Sequence, residues 1–237
     1  SVKNSCYRNS AIKTIPLALS SHNPLKANPL LARPDRLIAL NKSRKTLLER
    51  LGMEKDRLTL IPNFSSHEGR IKSHNAGDYW VIIGRVSGDK GSEQITKMWP
   101  DGYKLKVIGA VEGFDGVEVP GHVELLGNLD EQSTQALLAS SRGLISFSTR
   151  EGSPITVLNA LASGKPVVAI SNDGEFDWAA EYTGFRFSSE HQLRSCLEAI
   201  DKDWNTASQE ALKKYQTTYS QRIWLDRTTT LYRTLIH

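Results

Sequence analysis

Two segments of the 237-residue chain carry side chains suited to binding a charged, hydroxyl-bearing ligand. The first is Gly84-Arg-Val-Ser-Gly-Asp-Lys90-Gly91, which sets Arg85 and Lys90 on a glycine-containing loop between an apolar run and an amphipathic one. Two cations so placed neutralise a diphosphate without a metal ion. The second runs from Ile145 to Val168, I-S-F-S-T-R-E-G-S-P-I-T-V-L-N-A-L-A-S-G-K-P-V-V. It reads as a buried strand, a polar loop with Arg150, Glu151 and Gly152, a helix opening at Pro154, and another apolar strand after Gly164. A carboxylate accepts hydrogen bonds from two hydroxyls at once, and glycine lets a ligand approach the backbone. The N–H groups of Ser153, Ile155 and Thr156 open the helix, where an anionic group is favoured. Taken singly, the first segment also reads as a basic loop, and Glu151 as a surface acid complementing a helix dipole.

Those loops need a sheet to hold them. After residue 78 short apolar runs alternate with amphipathic stretches, which predicts an α/β domain with a mostly parallel, Rossmann-like sheet flanked by helices. The expected strands are Trp80–Ile83, Leu105–Ile108, Val123–Leu126, Gly143–Phe147, Pro166–Ile170 and Gly184–Phe187. The expected helices are Ser92–Met98, Asp130–Ser140 with Asp130 as N-cap, Pro154–Ser163 and Ser189–Ile200. The tail, Thr206–Ile236, reads as helical with a break near Thr217–Ser220. Upstream, Arg36–Leu40 and Leu58–Pro62 read as strands around a helix over Arg44–Leu51 capped by Ser43. Ser65–Asp78 reads as a linker, and residues 1–35, with four prolines, as a short helix or irregular structure. Ligands of open α/β sheets bind at the carboxyl edge of the strands, where both loops belong.

The Ile145–Val168 segment resembles the signature of the retaining glycosyltransferases of family 4, which have the GT-B fold. There a Glu-Gly-x-Pro turn is followed, eight positions after its Glu, by a second Glu. Here the first is Glu151, and the eighth position on is Asn159. The resemblance implies that Arg85 and Lys90 hold the diphosphate of a nucleotide-sugar donor, and that Glu151 and Gly152 contact the transferred sugar. Gly84, Gly109, Gly127 and Asn128 would line the nucleotide, and the helix start at Pro154 would present the N–H groups of Ser153, Ile155 and Thr156 to sugar or phosphate. Asn159 stands where the family's second Glu holds both ribose hydroxyls. An amide keeps at most part of that contact, at a cost of about 1–2 kcal/mol, roughly tenfold to thirtyfold in affinity.

By the same resemblance, residues 1–68 are a partial acceptor-side lobe with the crossover linker. Residues 69–237 are then the donor-binding domain, its last helix crossing back to the first lobe. The implied activity moves a sugar from a UDP- or GDP-linked donor to a glycan or lipid-linked acceptor, with no metal and no other cofactor. A non-catalytic nucleotide-sugar-binding or partner module is the alternative, and a GT-B epimerase a weaker third reading for want of acid/base groups in the cleft.

Charge adds one expectation. Residues 1–70 carry 13 Lys/Arg against 5 Asp/Glu, while residues 71–237 carry 17 against 21. A basic amino-terminal third suits an anionic neighbour, such as the inner face of a membrane, or is a solvated basic surface. Nucleic acid is disfavoured, because no recognition-helix motif or aromatic-rich basic strand accompanies the charge. The amino end lacks a signal-peptide core and an initiator Met, no apolar run is long enough to span a bilayer, and Cys6 and Cys196 lack metal spacing. These features read as a cytoplasmic protein, either trimmed or a fragment.

Overall fold

The strands form where apolar residues run without interruption. In β3 (Tyr79–Ile83) four of five residues are buried, as a parallel strand covered on both faces requires. The structure, a computed structural model, describes residues 35–66, 76–86, 92–110, 114, 118–149, 151–171 and 177–236. Lys90, Arg150, Cys6, residues 1–34 and most of the expected linker lie outside the described residues.

Two strands precede β3. β1 (Leu37–Ala39) and β2 (Leu58–Leu60) pair in parallel around helix α1 (Lys42–Arg50). Asn41, not Ser43, is the N-cap, its side chain accepting from the Arg44 N–H at 2.6 Å, and the helix starts at Lys42. The Glu181 carboxylate adds a second cap from far along the chain, accepting from the Lys42 N–H at 2.8 Å.

The main sheet adds β4 (Lys104–Ile108), β5 (Val123–Gly127), β6 (Gly143–Ser146), β7 (Val167–Ile170) and β8 (Phe185–Phe187). All pairings are parallel and the order is β5-β4-β3-β6-β7-β8. The expected strands are all present, with ends shifted by a residue or two, as fraying ends do. Successive side chains of β3 point to opposite faces. Tyr79 and Val81 join one core with α3 (Glu131–Ser140) and α4 (Ile155–Ala162). Trp80 and Ile82 join the other with α2 (Ser92–Met98) and α5 (Glu190–Lys202).

The tail continues as α6 (Trp204–Lys214), a π-helical turn at Tyr215–Tyr219, and α7 (Gln221–Ile236). The expected break is this turn, whose end at Ser220 is extended and bridges in parallel to Ser65. From there α7 returns to the amino-terminal unit, Trp224 packing on Phe64 at 4.9 Å. A cavity of about 440 Å³ separates Arg36, Thr59 and Leu60 from Asp226, Thr230 and Leu231 of α7.

One buried cation went unread in the sequence. Lys165, fully buried before β7, donates to the Ser141 carbonyl at 2.8 Å and lies over the Trp204 ring. Burial pulls its pKa down to about 8.

Candidate active site

The sheet reverses its direction of growth between β3 and β6. The chain leaves β3 toward β4 and β5, then returns to build β6, β7 and β8 on the other side. Loops leaving adjacent strands at such a point diverge and open a crevice at the carboxyl edge. Arg85 leaves β3 on one side of it, and Glu151 follows β6 on the other.

The β3 side is built from backbone. Gly84 donates to the Ile108 carbonyl at 2.9 Å, Gly109 to the Gly127 carbonyl at 2.7 Å, and Val86 to the Ala110 carbonyl at 2.8 Å. These bonds carry the strand ladder into the loops. Gly84, Gly109 and Gly127 have φ of 131°, 129° and 66°, values a side chain disfavours. A Cβ on Gly109 would also overlap the Gly84 carbonyl, so two loop backbones touch there. Between these anchors Arg85 is exposed. Beyond Gly127, Asn128 and Leu129 are exposed, and Asp130 caps α3 by accepting from the Ser133 N–H at 2.8 Å. That backbone bond holds the Asp130 carboxyl below its usual range.

The β6 side is built from side chains. Glu151 and Gly152 are half-buried, and Ser153 is buried. The Ser153 hydroxyl accepts from the Asn63 N–H and from the Tyr182 hydroxyl, both at 3.1 Å. Its carbonyl accepts from Nδ2 of Asn63 at 3.0 Å. Burial raises Tyr182 to about 12, so it stays a neutral donor. Asn41 donates to the Gly152 carbonyl at 2.5 Å and approaches that of Glu151 at 3.4 Å. Pro154 is the N-cap of α4 rather than its first helical residue, and Ile155 is largely exposed beside it. Among the described residues, a Cβ on Gly152 would meet nothing nearer than Leu40 Cδ1 at 3.9 Å, so they leave the space above that backbone open.

Asn159 is buried, and its carbonyl oxygen accepts from the Ser65 hydroxyl at 2.7 Å. The oxygen expected to serve a ribose hydroxyl is thus engaged within the protein. Tyr215 secures Ser65 in turn by donating to its carbonyl at 2.8 Å. Among the described residues no group of three or more His, Cys, Asp or Glu is placed to hold a metal ion.

Residues 69–216 match the model of the family described as glycosyl transferases group 1. The chain belongs to that family. Its fold is GT-B, shared with Anabaena Alr3699/HepE, whose structure holds UDP-glucose: TM-score 0.69, 16% identity, covering 93% of this chain and 69% of that one. S. aureus TarM aligns with TM-score 0.64 at 16% identity over 87% of this chain and 46% of its own. The pneumococcal O-GlcNAc transferase GtfA, solved with UDP and GlcNAc, aligns with TM-score 0.62 at 15% identity over 85% and 45%. The chain therefore spans less than half of TarM and GtfA. No curated protein is similar enough in sequence to be matched.

Within this group 1 glycosyltransferase chain, the crevice brings Gly84, Arg85, Glu151 and Gly152 to neighbouring strand exits. Gly109, Gly127 and Asn128 sit farther along the same edge. Lys90 lies outside the described residues. Sequence reasoning missed Asn41, Asn63, Ser65 and Tyr182, which hold the β6 wall. Nothing local marks them, since each acts on a residue at least 29 positions away.

Proposed function

We propose that the chain is the donor-binding part of a retaining glycosyltransferase of family 4. Residues 69–237 bind a UDP- or GDP-sugar, and residues 1–68 end the acceptor-side lobe. The observation that carries this is the placement of Arg85 and Glu151 in the loops that follow the two strands flanking the switch point of a group 1 GT-B sheet. Arg85 and Lys90 neutralise the diphosphate as it leaves, without a metal ion. Glu151 accepts from sugar hydroxyls, and open space above Gly152 admits the ring. The N–H groups of Ile155 and Thr156, at the start of α4, serve the distal phosphate or sugar. The leaving phosphate takes the acceptor proton on the same face, which retains configuration. The acceptor is a glycan or lipid-linked glycan, reached at the inner face of a membrane through the basic amino-terminal third. No helix among the described residues is long and apolar enough to cross a membrane.

A non-catalytic nucleotide-sugar module is favoured by one observation, the engagement of Asn159 by Ser65. Calorimetry with UDP and GDP, followed by sugar release from their glucose and mannose conjugates, separates the readings. Wild type is expected to bind one nucleotide, and Lys90→Ala to weaken it by about tenfold or more, as loss of a charged hydrogen bond does. Release abolished in Glu151→Gln supports the transferase, and binding without release supports the module. No affinity for either nucleotide overturns both.

A further inference from the structure

The β6 wall is fastened to the amino-terminal unit rather than to its own sheet edge alone. Asn41 is fully buried, and its amide works in two directions. The oxygen accepts from the Arg44 N–H and starts α1, while the nitrogen donates to the Gly152 carbonyl and points at that of Glu151. Asn63 takes the next residue, donating its side-chain amide to the Ser153 carbonyl and its backbone N–H to the Ser153 hydroxyl. Three successive carbonyls, those of Glu151, Gly152 and Ser153, thus face amides from before residue 64. Fixing those carbonyls fixes the peptide planes between them. Those planes set the position of the Glu151 Cα, from which its side chain departs, and the exposure of the Gly152 backbone.

We propose that Asn41, with Asn63 as a second arm, is a positioning residue through which the amino-terminal unit shapes the sugar-recognition turn Glu151–Ser153. Docking of that unit and assembly of the turn are then one event. Gly84 and Val86, in the phosphate loop, are held by backbone bonds to Ile108 and Ala110 at the β4 exit. Loss of the Asn41 contact should therefore fall on recognition of the sugar and leave the nucleotide largely untouched. This rests on the reading of Glu151 as a sugar ligand.

Asn41→Asp separates this role from the cap. Aspartate caps a helix as well as asparagine does, but it has no donor and turns a carboxylate oxygen toward the Gly152 carbonyl. In the full chain, hydrogen exchange of the Gly152, Ser153, Ile155 and Thr156 amides is expected to quicken by about tenfold while α1 stays within about threefold of wild type. In calorimetry with UDP and UDP-glucose, the advantage of the sugar nucleotide should fall by about tenfold and UDP affinity change less than about threefold. Asn63→Asp should show the same pattern more weakly, and it decides the matter if Asn41→Asp does not fold, because it leaves the α1 cap intact. Unchanged exchange of the turn in the folded variants, or equal weakening of UDP and UDP-glucose, overturns the proposal. If wild type binds neither this pair nor GDP and GDP-mannose, the functional reading fails, and exchange alone still decides whether Asn41 holds the turn.

Discussion

The two walls of the crevice are built by different physics. The β3 wall is made by backbone, with Gly84, Gly109 and Gly127 in conformations reserved for glycine and bonded to neighbouring strand ends. The β6 wall is made by side chains, with Asn41, Asn63 and Ser65 reaching Gly152, Ser153 and Asn159 across 90 to 111 positions of sequence. A wall that continues a strand ladder exists whenever the sheet does. A wall pinned by distant amides exists only when two units of the chain meet. The difference ties the β3 wall to the stability of the sheet, and the β6 wall to docking of the amino-terminal unit.

The hardest test of that contrast strikes the glycine wall. Gly109→Ala adds a methyl where the Gly84 carbonyl already lies and asks alanine to adopt a φ of 129°. It should destabilise the whole domain by about 2–4 kcal/mol, read as a lowered urea midpoint. A loss below about 1 kcal/mol would show that the two loops separate easily, and the wall would not be rigid.

A smaller effect is expected where the side-chain wall is cut. Ser65→Ala leaves the buried Asn159 oxygen unpaired and should cost about 1–3 kcal/mol, as should Asn159→Ala. The double variant should recover about 0.5–1.5 kcal/mol relative to the sum, because the two losses are one interaction. Strict additivity in the double-mutant cycle would deny that Ser65 and Asn159 latch the linker to α4. Asn159→Glu, with ribose and 2′,3′-dideoxy nucleotides compared, should tighten only the ribose form if the new carboxylate reaches past Ser65.

The smallest stability change belongs to Gly152→Ala. No atom of the described residues lies closer than 3.9 Å to the added carbon, so folding should shift by no more than about 0.5 kcal/mol. The same methyl fills the space above the turn, and UDP-glucose affinity should fall while UDP affinity holds. Equal affinities in calorimetry would place the sugar elsewhere.

Much of the fold was legible because it depends on patterns a few residues long. Apolar runs such as Tyr79–Ile83 and Val167–Ile170 can only be covered on both faces, and strand–helix alternation then compels parallel pairing. Capping misled at one point. Asn41 and Ser43 both suit an N-cap, and what favours Asn41 is a second set of partners in the Glu151 turn and the Glu181 carboxylate beside α1. Arg85, Glu151 and Gly152 could be singled out because their motifs are contiguous. Asn159 was recognised as an amide in place of a carboxylate, but its bond to Ser65 was invisible, since 94 positions separate the pair.

By itself the sequence determined the six parallel strands, the glycine-bearing exits from β3, β4 and β5, and the Glu-Gly turn before α4. Each follows from local sterics and from burial of apolar runs. The tertiary structure alone decided that the chain before residue 66 holds the Glu151–Ser153 turn. It also decided that Tyr215 and Glu181 fasten the amino-terminal unit to the sheet domain, that Tyr182 donates to Ser153, and that Lys165 is buried against Trp204. Those contacts join buried polar groups whose partners come from anywhere in the chain. A buried donor or acceptor must find a partner, but only the folded geometry settles which one it finds.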